Sequence, residues 1–424
     1  MNKILSLLFM AGVLVFASSC GGDDEPEPEK TTEEKIADAV AASQTAVSAK
    51  ASSDASATGV TDASVFDDWT LAFVKGQLGG TDQTPSEPSA EATVVKVSAN
   101  ISEDTEWTKD KVYQLDARVT VLDGVTLTIE AGTIIKGNAE LTGANAAVLM
   151  IARGGKLMAE GTAEEPIIMT STDDNIQPGD LSGTTLTESD RGKWGGLVVL
   201  GKAPVSAKTE DPQIEGVDAA DTNGRYGGTA ADDNSGVIKY VSIRHGGAEI
   251  AAGSEINGLT LGGVGTGTTI ENIEVYSNSD DGIEFFGGTV NVKSVLIYTV
   301  GDDGLDVDQS YAGTIDNFVV YVSSDSDKGL EIDGREGSLD KSFTIKNGTI
   351  ESVGGKATTA DFKAKAKATV TNVVLKSGKV ILSASFDTET YEETEDAASN
   401  TAAGSLVFSK VSTSAFEVYT KSFD

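Results

Sequence analysis

Apolar and acidic positions alternate in three copies of one short pattern between residues 280 and 333. Asp280-Asp281-Gly282-Ile283-Glu284-Phe285, Asp302-Asp303-Gly304-Leu305-Asp306-Val307-Asp308 and Asp327-Lys328-Gly329-Leu330-Glu331-Ile332-Asp333 each put apolar side chains on one face of a strand and acids on the other. The glycines recur at intervals of 22 and 25 residues, a period suited to one supersecondary unit stacked on its neighbours. Each unit has a second short strand, at Ile273–Tyr276, Val295–Tyr298 and Phe318–Tyr321. Units this short leave no room for a crossover helix. The pattern predicts an all-β chain, a right-handed parallel β-helix whose coils rise by about 4.8 Å. Asn272, Asn317, Asn347 and Asn372 suit its corners, because asparagine tolerates left-handed backbone.

Upstream the rhythm is looser but continuous, through Val119–Val121, Val125–Ile129, Thr133–Ile135, Val148–Ile151, Ile167–Met169 and Leu197–Leu200. Polar stretches at 172–192 and 204–235 read as insertions leaving the coil. The predicted solenoid spans 94–424, with Leu406–Phe423 as its terminal cap. Residues 20–93 are rich in Ala, Ser, Thr, Asp and Glu and read as a flexible tether, disordered or partly helical. A short helix is expected over Thr32–Lys50, capped by Thr32. Asp67–Leu78, with Trp69, Leu71 and Phe73, is the part of the tether suited to docking on the solenoid.

The first nineteen residues hold Lys3, an apolar run from Ile4 to Phe16 and the small residues Ala17-Ser18-Ser19. Thirteen apolar-run residues fall short of the ~20 that span a bilayer, so the segment reads as an export signal. Cys20, the only cysteine of the chain, follows directly. It resembles a bacterial lipobox, with Cys20 becoming the lipidated residue and anchoring the protein to the outer membrane; the other reading is a cleaved secreted protein with a spare thiol. The acidic run after Cys20 resembles a surface-export signal, which implies exposure at the cell surface. A net charge of −34 makes nucleic acid and anionic membrane unsuitable partners and favours cations or basic surfaces.

Further motifs carry a resemblance. Trp194-Gly195-Gly196-Leu197-Val198-Val199-Leu200-Gly201, Ile214-Glu215-Gly216, Tyr226-Gly227-Gly228, Asp233-Asn234-Ser235-Gly236, Asn257-Gly258-Leu259-Thr260-Leu261-Gly262-Gly263 and the Asp280–Val290 run are similar to a family of Bacteroidota surface and secreted lipoproteins with right-handed parallel β-helix repeats. The resemblance covers roughly residues 95–350. It implies fold and location and assigns no activity.

In a solenoid, like positions stack, so Glu284, Asp306 and Glu331 are expected to form a ladder. Carboxylates about 5 Å apart repel by about 1 kcal/mol in water and more in a protein, so a cation is expected to offset them. Calcium, a hard ion accepting many oxygens, is the natural candidate, with Asp280, Asp281, Glu284, Asp302, Asp303, Asp306, Asp308, Asp327, Glu331 and Asp333 as candidate ligands. Solvated or Lys328-paired acids are the bland alternative. The spacing is not that of an EF-hand, since Tyr311 holds the position that needs glycine.

Two carboxylates ~5–9.5 Å apart also serve glycoside hydrolysis, but a ladder supplies such pairs whether or not chemistry occurs. A calcium-dependent lyase would need a base from Arg244, Lys293, Lys328 or Arg335. His245, the only histidine, reads as a turn residue, and Gly262–Gly267 lacks a dinucleotide fingerprint. Tyr276, Tyr298 and Tyr321 fall at one place in successive strands, with Arg244 continuing the column. Pointing outward, they suit a sugar or a protein partner; the alternative is that they only cover the sheet. The favoured reading is a non-catalytic surface lipoprotein binding a glycan or an outer-membrane protein through a face of the helix. The alternative is a calcium-dependent polysaccharide lyase or glycoside hydrolase.

Overall fold

The computed structural model describes residues 29–87, 89–250, 254–356 and 358–420. Cys20 and the export signal lie outside them. From Thr93 onward the chain winds as a parallel β-helix with two long sheets. One has ten strands running from Arg118–Val121 to Ala415–Thr420 and includes Ile283–Phe286, Leu305–Asp308 and Leu330–Ile332. The other has fourteen and includes Gly236–Arg244, Thr269–Tyr276, Asn291–Tyr298 and Thr314–Val322.

The long strands of the second sheet are creased rather than straight. Tyr240, Asn272, Ser294, Asn317, Asn347, Asn372 and Lys410 all have positive φ, between 49° and 59°, and the ladder skips each of them. In earlier coils the crease is a true break, because Lys156–Glu160 and Ile167–Ser171 are separate strands that both pair with Gly236–Arg244. Three of the asparagines at this corner extend a column of hydrogen bonds: Asn372 donates to Asn347 at 2.9 Å, and Asn317 donates to Ser294 at 3.3 Å.

Inside the tube, like stacks on like. Leu149, Leu197, Leu259, Ile283, Leu305, Leu330, Ala360 and Val380 follow one another in register and are buried. The repeated glycine has a steric cause. A Cβ on Gly304 would lie 2.4 Å from Val320 of the facing sheet and 2.6 Å from the carbonyl of Gly329 one coil on.

The expected tether is ordered from Thr31 to Leu78, because the solenoid supplies the partners its composition lacks. Its helix spans Thr32–Ser48, and the cap is Thr31 rather than Thr32: the Thr31 hydroxyl accepts from the Glu34 amide while Glu34 accepts from the Thr31 amide. Beyond it the chain forms a strap across the fourteen-stranded sheet. Thr58 donates to Asn372, Val60 to Thr349 and Thr61 to Asn317, so corner side chains satisfy its extended backbone. Phe66, Trp69 and Leu71 are buried against Tyr276, Leu296, Tyr298 and Val319, and Trp69 meets Tyr240 edge-on.

The terminal cap also differs from expectation. Val407–Ser412 and Ala415–Thr420 are one more coil, paired with the strands before them. The end is closed instead by the N-terminal helix and by the helix Ala397–Ala403. Gln44 meets the free edge of the last strand directly, accepting from the Val418 amide at 2.8 Å and donating to the Phe416 carbonyl at 3.2 Å. The strap generates a prediction. Trp69→Ala is expected to weaken its docking by about 3–5 kcal/mol, accelerating amide exchange over residues 61–74 and exposing Tyr298 to nitration; unchanged exchange would count against this packing.

Candidate metal and ligand-binding site

The acidic residues sit on the outer face of the ten-stranded sheet. Register places Thr260, Glu284, Asp306, Glu331 and Asp361 on consecutive rungs. Asp361 is a rung that the repeat conceals, since its strand lacks the Asp-Asp-Gly opening. Four overlapping groups bring carboxylate oxygens within 4.8 Å of one another: Asp280–Asp281–Asp302, Asp281–Glu284–Asp306, Asp302–Asp303–Asp327 and Asp303–Asp306–Glu331. Asp308 and Asp333 belong to none of the four.

The acids divide by role. Asp281 accepts from the Asp303 amide at 2.8 Å, and Asp303 accepts from the Lys328 amide at 2.7 Å. Each thus spends one oxygen holding the next coil. At the far end, Lys328 pairs with Asp327 and Glu331, and Lys363 also pairs with Glu331, so that rung is neutralised as a Lys328 pairing would have it. Towards the middle, no lysine or arginine nitrogen lies within 4 Å of the Asp281, Glu284 or Asp306 carboxylates among the described residues.

The middle rungs are also enclosed. The insertion at 204–235 lies alongside, with Glu215 against Glu284 and Tyr226 packed on Phe286 and donating to Gln309 at 3.1 Å. Asn257 donates to Glu284 at 2.5 Å. Asn257 holds the place of Asp281 one coil earlier, with asparagine where the repeat has an acid, whereas Glu215 reaches the ladder from outside the repeat. Oδ1 of Asp306 is buried without any hydrogen-bond partner.

Burial, and then the charge of neighbouring acids, pushes the carboxyls of Asp281, Glu284 and Asp306 well above the usual range. The same causes raise Asp280 to about 7 and Asp308 to about 6. Asp303 is raised to about 6 by burial, against the pull of Lys328. The donors are all oxygens, with no thiolate or imidazole among them, and an orphaned carboxylate oxygen faces its neighbours. This set fits a hard divalent cation such as calcium.

The aromatic column has a different fate. Arg244, Tyr276, Tyr298 and Tyr321 do occupy matching positions; the Tyr276 and Tyr298 rings stack at 5.3 Å, and Tyr321 lies tilted against Tyr298 at 5.5 Å. They point out of the tube, but the strap lies over them: Tyr276 is 0 % and Tyr298 4 % exposed. Tyr276 and Tyr298 therefore offer no exposed platform, and only Tyr321 keeps partial exposure. Arg244 is buried too, donating to Ser242 at 2.6 Å and to the Leu181 carbonyl at 2.8 Å, 4.0 Å from Glu274. Glu274 in turn accepts the amides of Leu71 and Ala72, tying the strap down.

A family model described as a pectate-lyase-like β-helix domain matches residues 99–422, well over half of the 424. The chain belongs to this family. No curated protein and no solved structure matches it. Of the four cations from which a lyase base would have to come, three are engaged elsewhere, and Lys293 is exposed on the fourteen-stranded sheet, away from the acids. Arg335 pairs with Glu395, Lys328 with the ladder's own end, and Arg244 is buried on the other sheet. His245 is a buried turn residue at φ 59° whose Nδ1 lies 2.6 Å from the Asp190 carbonyl; burial lowers its pKa to about 4, so the ring is neutral and donates. Gly262–Gly267 packs beneath Tyr226 and Asp233.

The raised carboxyls set the sign of a pH effect. They hold protons more tightly folded than unfolded, so their contribution is complete below about pH 4 and is lost as pH rises through 6–7. In chelator, melting temperature is expected to fall between pH 5 and 7.5, and calcium is expected to remove most of that fall. A melting temperature equally dependent on pH with and without calcium would show that the ladder holds no ion.

Proposed function

We propose that the protein is a lipid-anchored cell-surface β-helix that binds calcium on the middle rungs of its acidic ladder and holds an extracellular glycan there without cleaving it. The observation that carries this reading is the unbalanced group Asp281, Glu284 and Asp306, with its buried, unpartnered Asp306 oxygen.

The other sheet gives the contrast. There the corresponding column runs Lys239, Glu271, Lys293, Asp316, Lys346, alternating in sign from coil to coil, and Lys239–Glu271 and Lys346–Asp316 close as ion pairs at 3.7 and 3.3 Å. Where the fold needs only neutrality, this chain builds it from lysine. On the acidic ladder it does so only at the Glu331 end.

Calcium takes six to eight oxygens, about twice what three carboxylates supply with one oxygen each. The remaining positions suit hydroxyl or carboxylate oxygens of a polysaccharide, beside the exposed Asp302 and Asp327 and the rim of the 204–235 insertion. Binding is favoured over lyase or hydrolase chemistry because Lys328 and Arg335 are committed to ion pairs, Arg244 is buried, and Lys293 lies on the other sheet. The lipobox at Cys20 and the acidic run after it support placement on the outer membrane, facing the medium.

Titration calorimetry of the purified protein is expected to show calcium binding that Asp306→Asn abolishes. The same substitution should raise the melting temperature in chelator at pH 7.5, because it removes a buried repulsion. A screen against acidic and neutral polysaccharides is expected to give binding in calcium, none in chelator, and no change in chain length. Binding to an outer-membrane protein alone would replace the glycan with a protein partner, and shortened or unsaturated products would overturn the non-catalytic reading.

A further inference from the structure

The strap has a direction. Ser53 donates to the carbonyl of Thr413 in the last coil, Thr58 contacts Asn372, Val60 contacts Thr349, Thr61 contacts Asn317, and Leu71 contacts Glu274. Each step moves towards the first coils, against the winding of the solenoid. The chain therefore enters at the C-terminal end, where the helix Thr32–Ser48 lies on the last strand and Tyr391 meets Thr32 and Lys35.

We propose that this end face, formed by the helices Thr32–Ser48 and Ala397–Ala403 and the last strand, is the surface the protein presents to a lipid bilayer, with the first coils pointing away. The proposal rests on the reading of Cys20 as the lipidated residue. Ten residues lie between Cys20 and Thr31, and the eleven steps between the two reach at most about 40 Å. The fourteen-stranded sheet has eleven strands along its main path, and ten steps of about 4.8 Å put the first coil about 48 Å away. A lipid on Cys20 thus reaches the C-terminal end with ease and falls short of the first coil.

The surface chemistry agrees. Among the described residues four large hydrophobics are exposed: Val407 and Tyr419 belong to the last coil, Val94 to the first strand, and Tyr419 is the most exposed at 61 %. A tyrosine with an apolar ring and a polar tip suits the headgroup layer. Glu33, Glu34 and Asp38 on the helix make a strongly anionic surface an unsuitable partner, so contact with a zwitterionic one follows from the tether rather than from charge.

The test is lysine footprinting with a water-soluble acylating reagent, on the full mature protein in phosphatidylethanolamine–phosphatidylcholine vesicles and on the same protein in detergent. Lys379 and Lys410, exposed on the last two coils, are expected to lose labelling several-fold on the vesicles, while Lys96 and Lys156 of the early coils keep theirs. Uniform protection, or protection of Lys96 and Lys156, would overturn the orientation. A second arm couples unlipidated mature chain to a maleimide lipid through Cys20, its only cysteine. Intact mass of the native protein reports the anchor separately: a diacylglyceryl adduct on Cys20 supports it, and its absence sinks the anchor and this proposal together. A native adduct with a reversed footprint sinks the orientation alone.

Discussion

The parallel backbone ladder, coil on coil at about 4.8 Å, is the constraint on which the rest depends. It brings each side chain against its counterpart one turn away, so every column must consist of residues that tolerate their own neighbours. Aliphatic side chains do so at once, and the interior is a stack of Leu, Ile and Val. Asparagine does so at the crease, since its amide both donates and accepts while its backbone takes positive φ. Charge does not. The fourteen-stranded sheet meets the difficulty by alternating sign, and the ten-stranded sheet meets it only at one end.

That difference gives the acidic face its functional weight. Asp281 and Asp303 have an ordinary structural use, each holding an amide of the following coil. Glu331 is matched by two lysines. What remains is a short enclosed segment around Asp306, where burial and like charges act in the same direction on the carboxyls. A hard cation would relieve both, bringing ligand positions of its own to a face bordered by the longest insertion.

The strap belongs to the same economy of edges and faces. A solenoid ends in unpaired strands and leaves outward aromatic columns uncovered. Here one segment, too poor in apolar residues to fold alone, closes the last strand through Gln44 and covers the tyrosines through Phe66, Trp69 and Leu71. The residues that suggested a ligand platform are thus the docking surface for the protein's own N-terminal region. Stacked, outward tyrosines follow from the spacing of the repeat. Whether they meet solvent depends on contacts more than two hundred positions away in the chain.

From the sequence alone come the parallel coils, the positions of the strands, the asparagine corners and the ladder Glu284–Asp306–Glu331, because each follows from a period that local alternation and glycine placement make visible. Asp361 was within reach, since Asp361 lies between the apolar Ala360 and Phe362, but its coil lacks the acidic opening that marks the others. The tertiary structure alone decided that Tyr276 and Arg244 are buried, that Val407–Ser412 and Ala415–Thr420 form a coil and not a cap, and that Glu215 reaches the ladder. Those contacts join segments with no shared period: a repeat specifies what stacks on what, and only the folded chain specifies what lies across the stack.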